Sequence, residues 1–129
     1  MPYDISVILN DQPGALAQVG ETMGKAGINI EGYCSFSSAG KSYLHILVNE
    51  MNGVPEALRE IGLAVEHQRE VFTVDVEDRP GELGKVARFI ADSGVNIDMV
   101  YMGTNTRLVL CAFDSEAARA AVEAYKEAS

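Results

Sequence analysis

Two short polar clusters in this sequence each occur twice. The first is Asp11-Gln12-Pro13-Gly14-Ala15-Leu16, matched by Asp78-Arg79-Pro80-Gly81-Glu82-Leu83. The second is Gly27-Ile28-Asn29-Ile30, matched by Gly94-Val95-Asn96-Ile97. These residue types suit recognition more than bond making. Asp11 or Asp78 can accept from an ammonium group, and Asn29 or Asn96 can both donate and accept. Pro-Gly fixes a sharp turn and lets backbone approach closely, either to itself or to a ligand. A helix starting after that turn offers unpaired N–H groups and a positive dipole end, which suit a carboxylate. A free amino acid carries both an ammonium and a carboxylate. The same residues also have a purely structural use, with Asp as a helix N-cap and Asn as a turn residue. The sequence leaves both uses open.

Other chemistry finds little support. There is no GxSxG, P-loop or Rossmann fingerprint, no nucleophile–base pair and no metal-ligand spacing. The expectation is a non-enzyme with no cofactor and no metal. His45 lies among Tyr43, Leu44, Ile46 and Leu47. With no neighbouring His, Cys or carboxylate cluster, it reads as a strand-face residue and not a ligand or base. His67, in Glu66-His67-Gln68-Arg69-Glu70, reads as part of a solvated strand. Cys34 and Cys111 are far apart, form no CxxC, and sit in strand-like segments where a small buried hydrophobe is the usual role. Met99, Tyr101 and Met102 suit core or interface packing.

The paired clusters imply a repeat. With a shift of 67 residues, positions 11–30 and 78–97 align without a gap, and eight of the twenty are identical. Chance seldom gives that density, so the chain reads as two units, 1–70 and 71–129. Each unit has the same expected elements. Ile5, Val7 and Leu9, like Phe72, Val74 and Val76, alternate with polar residues as in a half-buried strand. Leu16, Val19 and Met23, like Leu83, Val86 and Ile90, recur at helical spacing. Asp11 and Asp78 are placed to cap these helices, and Gly27 and Gly94 to end them in the left-handed conformation. Two strands follow as a hairpin, about 28–36 with 42–49 and about 95–103 with 106–113. A second helix carries Val54, Leu58 and Ile61, with Pro55 in its first turn. Its counterpart begins at an expected Ser115 cap and carries Ala118, Ala121, Val122 and Tyr125. Leu63–Gln68 then supplies a fourth strand to the first unit alone. The plan is α+β: two ferredoxin-like βαββαβ units in tandem, with antiparallel sheets and helices on one face. The second unit lacks its final strand, so one edge needs a partner, either the 63–70 segment or another chain.

Length and charge agree. At 129 residues the chain fits one ordinary domain or two of about 60. Hydrophobic residues at 47% and charged residues at 22% mark a globular chain. The net charge of −9 comes with no basic run, which argues against nucleic acid and against an anionic membrane surface. No apolar stretch approaches the ~20 residues of a membrane span, and Met1-Pro2-Tyr3-Asp4 shows no signal peptide. Together with the cysteine pattern, this gives a cytoplasmic expectation.

The two clusters, doubled on matching patterns, resemble the ACT domain, a small regulatory module attached to many enzymes of amino-acid metabolism. The resemblance covers nearly the whole chain as two tandem units. It implies side-by-side pairing of units into a larger sheet, and amino acids bound at the seam between two units. The family's binding residues are the polar residue two before the Pro-Gly, the turn itself, and the Asn of Gly-x-Asn-Ile. They carry over to Asp11, Pro13, Gly14 and Asn29, and to Asp78, Pro80, Gly81 and Asn96. With adjoining residues the candidate set becomes Asp11, Gln12, Pro13, Gly14, Ala15, Asn29 and Ile30. Its second half is Asp78, Arg79, Pro80, Gly81, Glu82, Asn96 and Ile97.

Both copies carry Asp where some members carry Asn, which should favour a ligand's ammonium at that point. Serine-binding members place a His two residues earlier, where this chain has Leu9 and Val76, so serine is not carried over. Two functional readings follow. One is a regulatory amino-acid-binding protein, allosteric and homodimeric or larger. The other is a regulatory or assembly subunit that docks an amino-acid biosynthetic enzyme without binding a ligand itself, as the resemblance to the regulatory subunit of acetohydroxyacid synthase implies.

Overall fold

The computed structural model describes residues 2–129. Backbone contacts divide the chain into a first unit that ends at Arg69 and a second, Glu70–Ser129.

In the first unit the strands are β1 (Tyr3–Asn10), β2 (Gly32–Ser38), β3 (Lys41–Val48) and β4 (His67–Glu70), ordered β4-β1-β3-β2. The pairs β1/β3 and β2/β3 are antiparallel, with Ile5 opposite Ile46 and Cys34 opposite His45. Two helices, α1 (Ala15–Lys25) and α2 (Val54–Glu60), cover one face. Strand alternation sends Ile5, Val7, Leu9, Leu44, Ile46 and Val48 to that face. There they pack on Val19 and Met23 of α1 and on Val54, Ala57 and Leu58 of α2.

The second unit repeats the plan with β5 (Phe72–Asp75), α3 (Glu82–Asp92), β6 (Met99–Gly103), β7 (Arg107–Cys111) and α4 (Ser115–Ala128). Its strand order is β6-β7-β5, antiparallel at both pairings. Phe72, Val74, Leu108 and Leu110 meet Val86 and Ile90 of α3 and Ala118, Ala121, Val122 and Tyr125 of α4. The four expected core residues of the last helix are therefore all buried.

The 63–70 segment joins the strands of the first unit beside β1, and among the described residues β5 has β7 as its only strand neighbour. The fourth strand also starts four residues later than the alternation of Leu63 and Val65 predicts. Those two side chains lie half-buried against the first core, while pairing with β1 begins where the Glu66 N–H donates to the Ser6 carbonyl at 2.8 Å. Alternation here records burial before it records pairing. The cap of α4 is Asp114, whose carboxylate accepts from the Ala117 N–H at 3.1 Å; Ser115 is already helical.

Candidate ligand site

The Asp-x-Pro-Gly segment folds as a turn and not as a side-chain cap. The Ala15 N–H reaches the Gln12 carbonyl at 3.3 Å, and Gly14 has φ 88° and ψ −14°. This is the third position of a type II turn, where Pro precedes and only Gly is comfortable. Gly81 repeats it with φ 93° and ψ −9°. Gly14 and Gly81 thereby become the N-cap residues, and neither α1 nor α3 has a side-chain cap. The expectation that Asp11 and Asp78 cap these helices is overturned. Pro-Gly carries the chain into the helix one turn too late for a carboxylate three or four residues back. Both Asp side chains stand exposed.

The two turns differ in what surrounds them. Beside the first lies an open cleft of about 290 Å³, lined by Leu9, Gln12, Pro13, Gly14 and Gln18, with Leu63 on its far wall. Near its rim the Lys41 ammonium donates to Asn10 Oδ1 at 2.9 Å. At the second turn, Glu77, Arg79 and Glu82 replace Asn10, Gln12 and Ala15. Arg79 donates from Nη1 to Glu77 Oε2 at 2.9 Å and from Nε to Glu82 Oε2 at 3.1 Å. Glu82 Oε1 also accepts from the Glu77 N–H at 3.3 Å. The hydrogen bond from Arg79, and then that from the Glu77 backbone, hold the Glu82 carboxyl below its ordinary value. The same bond to Glu82, and then the charge of Glu77, raise the Arg79 guanidinium. At the second turn Glu77, Arg79 and Glu82 thus satisfy one another, whereas at the first the amides of Asn10, Gln12 and Gln18 line an open cleft.

The Gly-x-Asn-Ile segment lies at the other end of the helix. Gly27 has φ 74°, and its N–H reaches the Gly24 carbonyl at 3.0 Å while the Ile28 N–H reaches Met23 at 3.0 Å. This paired pattern is a Schellman closure, with Ile28 brought back over Met23. Gly94 and Val95 repeat it on Ala91 and Ile90. The glycine caps expected from the sequence are present at both helices. Asn29 Nδ2 donates to the Glu31 carboxylate, beside a polar cleft of about 300 Å³ that also includes Asn49 and Glu50. Ile30 and Ile97 are half-buried, and Asn96 is exposed.

Within one unit the candidate residues are not brought together. Asp11 and the Pro-Gly turn stand at the start of α1, and Asn29 stands just past its end. An eleven-residue helix is about 16 Å long. One free amino acid cannot touch both ends.

Comparison with known proteins fits this geometry. Residues 71–128 match the ACT domain family. The second unit is an ACT domain. That match covers the second unit; the first has the same element order and the same two motifs. No curated protein sequence matches the chain. Among solved structures, a protein from Bacteroides thetaiotaomicron shares 24% identity at a TM-score of 0.83, over 96% of this chain and 88% of that one. The ligand-free regulatory subunit of aspartate kinase from Thermus thermophilus shares 22% at 0.74, over 98% and 91%. The corresponding subunit from Thermus flavus shares 23% at 0.68, over 98% and 92%. These likenesses establish the fold along both units. ACT domains bind amino acids for regulation and are non-catalytic. Among the described residues no helix is long and apolar enough to cross a membrane.

One polar pair escaped sequence reasoning. His45 Nδ1 lies 2.8 Å from Oδ2 of Asp4, whose side chain is 2% exposed. His45 is a strand-face residue, as expected, but one carboxylate stands beside it that the sequence did not reveal. The two are 41 residues apart, and only the β1/β3 register brings them onto one face. A signal existed in the repeat: the equivalent positions of the second unit are Val71 and Val109, both buried. A polar pair in one copy stands where an apolar pair stands in the other.

Proposed function

We propose that this ACT protein is a non-catalytic regulatory sensor of a free amino acid, bound at a seam between two ACT units. The observation that carries the reading is the first Asp-Pro-Gly turn. An uncapped helix start opens there onto a cleft of about 290 Å³, with the exposed Asp11 carboxylate nearby. The helix end suits the ligand's carboxylate and Asp11 its ammonium. Because Asn29 lies a helix length away, an Asn in the same site comes from another unit, in the same chain or a second one. Ligand binding and unit pairing are then linked, and the ligand acts allosterically on a cytoplasmic homodimer or larger assembly. The first turn is the better site, since Arg79 and Glu82 already fill the second with their own hydrogen bonds.

Thermal-shift measurement against the twenty amino acids tests this. A ligand at a hundredfold over its Kd adds about 2.7 kcal/mol to stability. Asp11→Ala should abolish binding, and Asp78→Ala should weaken it less. If no amino acid raises the melting temperature and calorimetry shows no heat, the reading fails.

The bare edge of β5 favours a second reading, in which a partner enzyme of amino-acid biosynthesis docks on the second unit. One stoichiometric enzyme recovered with the chain from native extract supports it; recovery of the chain alone counts against it.

A further inference from the structure

The sheet face of the first unit turned away from its helices carries a group of residues that amino-acid binding does not use. Alternation along β1 and β3 places Asp4, Ser6 and His45 there, opposite to the core residues Ile5, Val7, Leu44 and Ile46. His45 stands directly opposite Ser6 on β1 and directly opposite Cys34 on β2. Directly opposed residues of an antiparallel pair share a face, with Cβ atoms about 4.5–5.5 Å apart. The imidazole is therefore flanked by a hydroxyl and a thiol.

Asp4 fixes the imidazole. A carboxylate only accepts, so the nitrogen facing it, Nδ1, carries a proton, and in the neutral imidazole Nε2 keeps its lone pair. A nucleophile, a base and a group that orients the base recur wherever side chains are activated for attack. Cys34 is a free thiol and partly exposed. Cys111 differs: it is buried, with its thiol 3.8 Å from the Glu70 carbonyl. Ser6 Oγ is buried and has no hydrogen-bond partner. It is the rival acceptor or donor for His45, but it has no exposure through which to meet a reagent.

We propose that Cys34 is a thiol-modification site, in which His45, oriented by Asp4, acts as the base and small disulfides are the reagent. In the reaction the Cys34 thiol proton passes to His45 Nε2. Sγ attacks one sulfur of R–S–S–R, a new S–S bond forms and the old one breaks. Its electron pair leaves on the second sulfur, which takes the proton back from His45 as a free thiol. Cys34 is oxidised to a mixed disulfide and half of the reagent is reduced. The adduct sits at the partly exposed Cys34 on β2, and a reducing thiol reverses it by the same exchange.

The test uses the full chain and a small neutral disulfide, 2-hydroxyethyl disulfide. Mass spectrometry of peptides reads Cys34 and Cys111 separately. At about pH 7 an ordinary thiol is only a few per cent thiolate. Cys34 should therefore react at least tenfold faster in the folded chain than in the urea-unfolded one, and Cys111 more slowly. His45→Gln should remove the acceleration and Ser6→Ala should keep it. A further reading needs no variant. The unfolded rate climbs with pH toward the ordinary thiol range near ~8.5, while the folded advantage shrinks over that climb. If Cys34 reacts no faster folded than unfolded, the proposal is overturned. It is equally overturned if folded His45→Gln keeps the wild-type rate, or if the advantage does not shrink with pH.

Discussion

Replacing Gly14 by alanine isolates the backbone demand of the first turn. A Cβ built at Gly14 meets no atom within 4 Å, so the substitution creates no clash. What remains is conformation: φ is 88°, a region that costs an L-residue about 1–2 kcal/mol. The unfolded chain loses freedom when glycine is removed, which offsets about 0.4–1 kcal/mol of that cost. The net expectation is a loss of about 1 kcal/mol, or a fall of about 4 °C in Tm for a chain of this size. Gly20 provides the control within the same helix. It also meets nothing within 4 Å, and it lies in the interior of α1. There alanine should stabilise by about 0.5–1 kcal/mol. Urea unfolding of Gly14→Ala and Gly20→Ala, fitted with a common slope, reads both. The same substitution should have opposite signs six residues apart. If Gly14→Ala is neutral or stabilising, the turn does not hold the conformation described, and the account of the Pro-Gly motif fails with it.

Three further outcomes follow from the packing and the hydrogen bonds. Leu58→Ala empties a fully buried position against α1 and the first sheet, and should cost about 2–5 kcal/mol in urea unfolding; a loss below 1 kcal/mol would contradict that core. Asp114→Ala removes the side-chain cap of α4 and should cost about 1 kcal/mol, while Ser115→Ala should change stability by less than about 0.5 kcal/mol. Equal losses from the two would restore Ser115 as the cap. The Glu82 carboxyl titrates low because Arg79 and the Glu77 N–H bond its charged form. A folded value below the unfolded one stabilises above the unfolded value, and that contribution is lost as pH falls through the folded one. NMR titration of Arg79→Ala should show the Glu82 midpoint move upward; an unchanged midpoint removes Arg79 as the cause.

Local rules made much of this fold legible. The αL glycines at 27 and 94, Val19 and Met23 of α1, Val86 and Ile90 of α3 and the core stripe of α4 depend on contacts within a few residues, and the sequence carries them openly. Leu16 and Leu83, expected on the same stripes, are instead exposed, because they sit in the first turn of their helices, short of the core. The Asp caps were misread because Asp just upstream of a helix ordinarily accepts from its first amides. Here a Pro-Gly turn intervenes and supplies a glycine as the cap. The Glu77–Arg79–Glu82 ring was hidden for a different reason. Arg79 and Glu82 sit in the motif's variable positions and Glu77 just before it, so a comparison of the copies by identity passes over the place where the two turns diverge. The Asp4–His45 pair needed strand register, which periodicity alone does not supply.

The position of β4 in the chain has a consequence for synthesis. β4 ends at Glu70 and β5 begins at Phe72, so the four strands of the first unit all precede the later half of the chain. Once residue 70 has cleared the ribosome, every strand and helix of the first unit is free to assemble while the second is still being made. The nascent chain therefore holds all four strands of the first unit before the second unit is made. β5, which among the described residues has β7 as its strand neighbour, belongs to the half that is translated last.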